Sequence, residues 1–190
     1  MRLLASLIAP GFLALAGFAG ASAADTYALD GAHTAALFKV SHMGFSYTWG
    51  RFNDVTGTVT WDDADLAKSA VKVVIKSASI DSGNAKKDEH LKGGDFFSVK
   101  EYPEITFVSK KIEKSGDSYH VTGDFTMHGV TKSVTIPVVK MKEDKDFAGK
   151  DKRIGFDTQF AIKRSDYGMN FMQGGIGDEV TITFATEAVK

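Results

Sequence analysis

Between Tyr119 and Met127 every second residue is apolar or glycine (Tyr119, Val121, Gly123, Phe125, Met127). Every residue between them is polar (His120, Thr122, Asp124, Thr126). An extended backbone sends successive side chains to opposite faces, so this pattern makes one dry face and one wet one. A helix with 3.6 residues per turn would scatter it. The same period recurs along the chain. Ile154, Phe156, Phe160 and Ile162 alternate with Arg153, Asp157, Gln159 and Lys163; Val180, Ile182 and Phe184 repeat it, as do Val55, Val59 and Trp61. Val71, Val73 and Ile75 oppose Lys72 and Lys76, with Val74 out of phase.

Turn residues separate these runs. Lys114-Ser115-Gly116-Asp117 ends a strand around Ile105 to Ile112, and His128-Gly129 separates the run to Met127 from that of Val130 to Val138. Pro137 lies late in this last run and predicts an edge or bulge, because proline offers no N–H to a ladder. The charged stretch Lys142 to Lys152 reads as a longer loop. Consecutive strands with short connections predict an all-β, antiparallel, up-and-down barrel of about eight strands in one domain. The main interruption runs from Ser82 to Phe97. Asn84 to Leu91 reads as a short helix with Ser82 or Asn84 as its N-cap, and Gly93-Gly94 ends it. Such a helix either covers one end of the barrel or is merely a long connection, and the pattern leaves both open.

The N-terminus is of a different kind. Met1 and Arg2 precede an uncharged apolar run from Leu3 to Gly20, and Ala21-Ser22-Ala23 supplies small residues at the positions a signal peptidase accepts. No stop-transfer charges follow. The run therefore reads as a signal peptide over residues 1–23, cleaved after Ala23, with export to the periplasm and a mature domain over 24–190 that does not span a membrane. Without cysteine, an exported chain must be held by packing. The same absence excludes a lipidated cysteine anchor, thiolate metal sites and thiol catalysis. Lys and Arg total 23 against 24 Asp and Glu, with no clustered basic excess of the kind a nucleic-acid surface needs.

The chemistry-bearing residues form few local patterns. His33, His42, His90, His120 and His128 make no HxH, HxxxH or HExxH pair, so a metal site would have to be assembled from distant strands. There is no GxSxG or GxGxxG string. Ser69 and Lys72 make an SxxK string, but an odd separation on a strand sends the two side chains to opposite faces. Gly93-Gly94 and Gly174-Gly175 read as turn glycines. What remains unusual is the abundance of phenylalanine, 14 in the chain. A closed eight-stranded barrel can fill its interior with such side chains or hold a ligand among them, and the alternation alone does not choose.

Larger strings carry more. Tyr27-Ala28-Leu29-Asp30-Gly31-Ala32-His33, Phe38-Lys39-Val40-Ser41-His42-Met43-Gly44 and Gly50-Arg51-Phe52 resemble the opening of the YceI-like family. Lys87-Asp88-Glu89-His90-Leu91-Lys92-Gly93-Gly94-Asp95-Phe96-Phe97 and Tyr102-Pro103-Glu104-Ile105-Thr106-Phe107 continue the likeness. So do Gly123-Asp124-Phe125-Thr126-Met127-His128-Gly129-Val130-Thr131-Lys132, Arg164-Ser165-Asp166-Tyr167-Gly168 and Ile176-Gly177-Asp178-Glu179-Val180, in order along the mature chain.

The resemblance implies an extended, lipocalin-like antiparallel barrel whose elongated apolar cavity holds a polyisoprenoid, an isoprenoid quinone or another long-chain lipid. It implies a periplasmic binding or carrier protein with no cofactor beyond that lipid, no catalytic residues and no metal. On this basis Phe38, Phe107, Phe125, Phe156, Phe160 and Phe184 are expected to line the cavity. The polar positions His33, His42, Arg51, Asp88, His90, Arg164 and Asp166 are expected near the mouth or the covering helix, as ligand contacts or as ion pairs holding the fold. Arg51 or Arg164 would suit a phosphate or carbonyl head group. Two other classes stay open: an enzyme acting on a lipid-like substrate with Asp88 and His90 as an acid/base pair, and a stress-related interaction protein whose lipid is structural. The partner is expected to be a long-chain isoprenoid or fatty lipid and no nucleic acid, with monomer or homodimer undecided.

Overall fold

A computed structural model describes residues 24–190; the expected signal peptide and its cleavage site lie outside the described residues. The chain forms β1 (Asp25–His42), β2 (Ser46–Phe52), β3 (Val55–Trp61), β4 (Ala70–Lys76), β5 (Ile80–Asp81), α1 (Ala85–Lys92), β6 (Glu104–Ser115), β7 (Ser118–Met127), β8 (Val130–Lys145), β9 (Lys152–Lys163) and β10 (Ile176–Val189). All pairings are antiparallel. Neighbours run β10-β9-β8-β7-β6-β4-β3-β1, and β1 pairs back onto β10, which closes an eight-stranded barrel. β2 and β5 are two additional strands at one end. Closure removes the free edges that an open sheet would expose.

β1 is long enough to be shared. Its first residues pair with β3 (Asp25↔Trp61 to Ala28↔Thr58), and its second half pairs with β2 (Ala36↔Phe52 to His42↔Ser46). The chain breaks at Asn53-Asp54, where Asn53 N–H donates to Ser79 O and Asp54 N–H to Ser79 Oγ. β2 therefore rises past the barrel wall and takes β5 as a partner (Phe52↔Ile80).

The barrel has two unlike halves. At the end holding the β6–β7 and β8–β9 turns, the inner faces are filled. Trp61 lies 4.9 Å from Tyr119, edge-on, and 5.1 Å from Phe156, with Ile112, Val121, Ile136 and Ile154 buried around them. Beneath this plug Tyr27, fully buried, donates its hydroxyl to Glu143 Oε1 (2.9 Å). Glu143 also pairs with Lys140 and Lys152 (both 2.6 Å), and Lys152 pairs with Asp25 (2.9 Å). The stretch expected as a loop over Lys142–Lys152 is shorter than that, because its charges pair in this network: β8 continues to Lys145 and only 146–151 turn.

The opposite end is looser. β8 pairs with β9 only from Val138 onward, so Val130 to Pro137 is an edge toward β9. Pro137 sits at that boundary, its carbonyl accepting from Thr158 Oγ1 at 2.6 Å. The segment after β9 lies across the split. A 3-10 turn at Arg164–Tyr167 places Tyr167 edge-on to Phe125 at 5.5 Å, and His128 Nδ1 donates to Tyr167 O at 3.0 Å. α1 is capped by Asn84, whose side chain accepts from Lys87 N–H. Asp88 closes its approach by accepting from Ser82 N–H (2.8 Å) and Ser82 Oγ (2.6 Å). No helix among the described residues is long and apolar enough to cross a membrane.

Candidate functional site

Above the aromatic plug the barrel opens into a cavity of about 450 Å³. Its walls come from seven strands, chiefly from alternate residues: Ala36, Phe38 and Val40 of β1, Phe52 of β2, Ile75 of β4, Ile105 of β6, Phe125 and Met127 of β7, Ile162 of β9, and Val180, Ile182 and Phe184 of β10. The register explains the gathering. Phe38 stands opposite Ile182 and Gly50, and Phe184 stands opposite Ala36. A Cβ on Gly50 would lie 2.3 Å from Phe38 Cζ, so only glycine there lets the ring lie flat along the wall. Phe38 leans on Phe52 (5.8 Å), which meets Phe97 edge-on at 5.5 Å.

Two segments roof the cavity, α1 with its following loop and the loop between Arg164 and Ile176. They meet in an aromatic cluster. The His90 ring lies 5.1 Å from Phe96 and 5.6 Å from Phe171, and Phe96 and Phe171 are 5.4 Å apart. His90 Nε2 is 2.9 Å from Asp95 Oδ2, a partly exposed pair that orients the ring. Polar groups at the cavity are confined to its upper end: Ser41, His42, Thr48, Lys87, His90 and Arg164.

Arg164 is the most constrained of these. It is buried, and its Nε, Nη1 and Nη2 donate to the carbonyls of Gly177 (2.9 Å), Met169 (2.7 Å) and Ile176 (3.0 Å). Burial pushes its pKa down and the Asp178 carboxylate opposes that shift, though a guanidinium stays charged regardless. Asp178 accepts from Ser165 N–H and Oγ, and these bonds hold its carboxyl below the usual range. The two residues tie the base of the roof loop, while its tip, Met169 to Met172, covers the cavity.

Of the aromatic positions expected in the wall, the structure brings Phe38, Phe125 and Phe184 together on the cavity. Phe107 faces the interior opposite Phe125 but does not border the cavity, its ring lying over Gly123, where a Cβ would sit 2.7 Å from it. Phe160 is on the inner face opposite Ile182 and packs 6.3 Å from Phe125, but does not border the cavity. Phe156 belongs to the plug against Trp61 and does not reach the cavity, because it lies toward the other end of β9.

Among the polar positions, His42, His90 and Arg164 reach the cavity. Asp88 sits on the roof helix and serves its cap. Arg51 is exposed opposite Asp81, and Asp166 pairs with Lys132 at 3.5 Å. His33 does not gather with the rest. A register shift between Leu29 and Thr34 bulges β1 at the far end, where His33, Asp30 and Glu187 converge. Arg153 already bridges both carboxylates at 2.8 and 2.9 Å. The acid/base pair that the enzyme alternative would need from Asp88 and His90 is not assembled either. Two residues apart on a helix, they face different directions, Asp88 toward Ser82 and His90 toward Asp95.

The roof residues Met169, Phe171 and Met172 were not singled out in the sequence. The signal was there: three large apolar residues within an otherwise turn-like stretch that ends in Gly174-Gly175.

Known proteins share this architecture. The chain is 35% identical over 187 residues to the Protein YceI of Escherichia coli O17:K52:H18, covering 97% of both chains. It superposes on the crystal structure of Burkholderia cenocepacia BcnA with a TM-score of 0.77 at 30% identity, covering 84% of this chain and 99% of that one. It is similar in fold to a polyisoprenoid binding domain from Saccharophagus degradans, with a TM-score of 0.66 at 15% identity over 85% of this chain and 97% of that one. Residues 27–188 match the YceI-like domain, so that walls, roof and floor of the cavity all fall within the match. This chain belongs to the YceI-like family.

Proposed function

We propose that this protein binds and carries one long-chain apolar lipid, of the polyisoprenoid or isoprenoid-quinone type, in the upper barrel, and that it does so in the periplasm. The observation that carries this is the polarity of the cavity: apolar walls, a floor sealed by aromatic packing, and polar groups only at the roof end. A chain with a polar head at one end matches that gradient. The family membership, and the ligand named for the Saccharophagus domain, support the same class. The leader-like run at residues 1–23 supports the location.

Volume sets the scale. An apolar cavity of about 150 Å³ takes up benzene. A space of about 450 Å³ therefore accommodates roughly three six-carbon bodies, or three to four isoprene units. At about 0.8 kcal/mol per methylene, some eighteen carbons give a gross gain of roughly 14 kcal/mol, an upper bound before ordering costs. Phe38, Phe125 and Phe184 would hold the tail. Arg164, whose five N–H groups are only partly used by the three carbonyls, would favour a head group with acceptor oxygens. No step in this function breaks or makes a bond.

The test is a length series. Delipidated protein is titrated with isoprenoid alcohols of about ten to forty carbons, competing against a fluorescent polyene fatty acid. Affinity should rise steeply to about twenty carbons and then flatten, as further units lie outside the walls. Affinity independent of chain length, or no displacement, would refute the proposal.

A further inference from the structure

The β1–β2 hairpin extends past the barrel at the cavity end, and its outer surface is unusual. Met43, Phe45, Tyr47 and Trp49 are 56–87% exposed, and Met172 on the adjoining roof loop is about half exposed. Isolated apolar side chains on a surface need no explanation, but a contiguous group does. These are contiguous. Tyr47 and Trp49 share the outer face of β2, and Met43 and Met172 flank Gly175, with Met43 N–H donating to Gly175 O at 2.6 Å.

The charge of this hairpin is equally one-sided. Leu37 to Phe52 contains Lys39, Arg51 and no aspartate or glutamate. Lys39 Nζ lies 5.0 Å from the Tyr47 ring and 5.6 Å from the Trp49 ring, and among the described residues no carboxylate is within ion-pair distance of it. A whole aromatic side chain offers roughly 150–250 Å², so these five partly exposed groups present a few hundred Å², short of the roughly 800 Å² per partner of a stable protein interface. A lipid surface has no such threshold. Arg51 stands opposite Asp81, so Lys39 is the unopposed cation. Apolar tips for the acyl layer, tyrosine and tryptophan for the head-group level, and an unopposed lysine for phosphates are what an anionic bilayer selects.

We propose that the β1–β2 hairpin docks this protein on an anionic lipid bilayer. Met43 and Phe45 enter the acyl region, Tyr47 and Trp49 sit among the head groups, and Lys39 meets the phosphates. The docked face is continuous with the cavity mouth, since Met172 belongs to both and His42 of the mouth directly precedes Met43. A cargo lipid would then pass between bilayer and barrel beneath the roof loop.

The experiment uses the purified protein with vesicles of phosphatidylcholine alone or with about 30% phosphatidylglycerol, read by co-sedimentation and tryptophan emission. Of the two tryptophans, Trp61 is buried in the plug, so an emission change reports Trp49. The expected result is binding to the anionic vesicles, weakened by salt, with a blue shift. Phe45→Asp, in an exposed turn that the barrel does not depend on, should weaken binding about tenfold or more. Phe147→Asp, equally exposed at the opposite end, should leave it unchanged. Three results would overturn the proposal: no binding of the wild type, equal loss in both variants, or a dimer in sedimentation that shields Trp49 and excludes vesicles. None of these readouts involves the lipid inside the cavity, so failure here leaves the carrier function to its own test.

Discussion

Phe107 and Phe125 stand directly opposite each other on β6 and β7, both on the inner face, 9% and 6% exposed. They differ in what lies beyond the ring. Phe107 is packed on protein, over Gly123, whereas Phe125 touches Tyr167 and Phe160 on one side and borders the cavity on the other. Truncation to alanine should therefore separate them. Phe107→Ala should cost about 3–5 kcal/mol, the usual penalty for emptying a packed aromatic site. In a domain of this size that lowers Tm by roughly 6–20 °C. Phe125→Ala removes a ring that forms part of its contacts with an unfilled space, so the delipidated protein should lose about half as much. In the loaded protein the order should narrow or reverse, because the ring's missing contacts are then with ligand. The enlarged bore should also admit a longer or bulkier chain, by about one ring's volume. The assay is denaturant unfolding of each variant with and without bound isoprenoid, together with mass spectrometry of the lipid retained. Equal losses for the two variants in the delipidated state, with unchanged lipid preference, would refute the distinction between wall and core.

Other consequences concern the roof and the floor. Replacing Arg164 with methionine leaves the carbonyls of Met169, Ile176 and Gly177 without their donors, at about 1–3 kcal/mol for each acceptor left buried. Amide exchange should show loss of protection confined first to the roof loop; uniform loss across the barrel would contradict its role there. His90→Ala breaks a partly exposed pair with Asp95 and the contacts with Phe96 and Phe171. Stopped-flow displacement should show lipid release accelerated severalfold with little change in Tm, and a large Tm loss with unchanged release rates would oppose gating. At the floor, burial alone would raise the Glu143 carboxyl, but Lys140, Lys152 and the Tyr27 hydroxyl hold it at about 2, against an ordinary 4.5. The unfolded state therefore binds a proton first, so this stabilisation is complete above pH 4.5 and is lost as pH falls toward 2. Glu143→Gln should flatten that limb of the stability–pH profile, leaving the part due to Asp25 and Asp30, which are also held at about 2; an unchanged limb would exclude Glu143 as a contributor.

Strand identity was legible because alternation is a local property: Tyr119 to Met127, Ile154 to Ile162 and Val180 to Phe184 each form a strand with the expected inner face. The turn at His128-Gly129, the edge at Pro137 and the short helix were legible for the same reason, each resting on chemistry within a few residues. Depth along the barrel was not. Alternation assigns Phe38, Phe107 and Phe156 to the same inner surface, but only the register of distant strands says that Phe38 borders the cavity while Phe156 belongs to the plug. The polar positions divided similarly. Arg164 gained its place from carbonyls five to thirteen residues away, and His33 left the group because a bulge in β1 shifted it to the far end. The charges of Lys142 to Lys152 suggested a loop, since only the fold shows that Glu143 and Lys152 neutralise each other across β8 and β9.

If the upper barrel holds a lipid, that lipid can be measured as cargo. The protein is purified from its host cells without detergent, its intact mass is taken under native conditions, and the bound fraction is extracted with organic solvent for mass spectrometry. Lipid binding in the upper barrel requires close to one equivalent of a lipid with a continuous apolar chain of at least about fifteen carbons, lost on denaturation and retained by Phe107→Ala better than by a variant that blocks the cavity, such as Ala36→Trp. Protein that is uniformly empty, and that stays empty when offered isoprenoids, would contradict it.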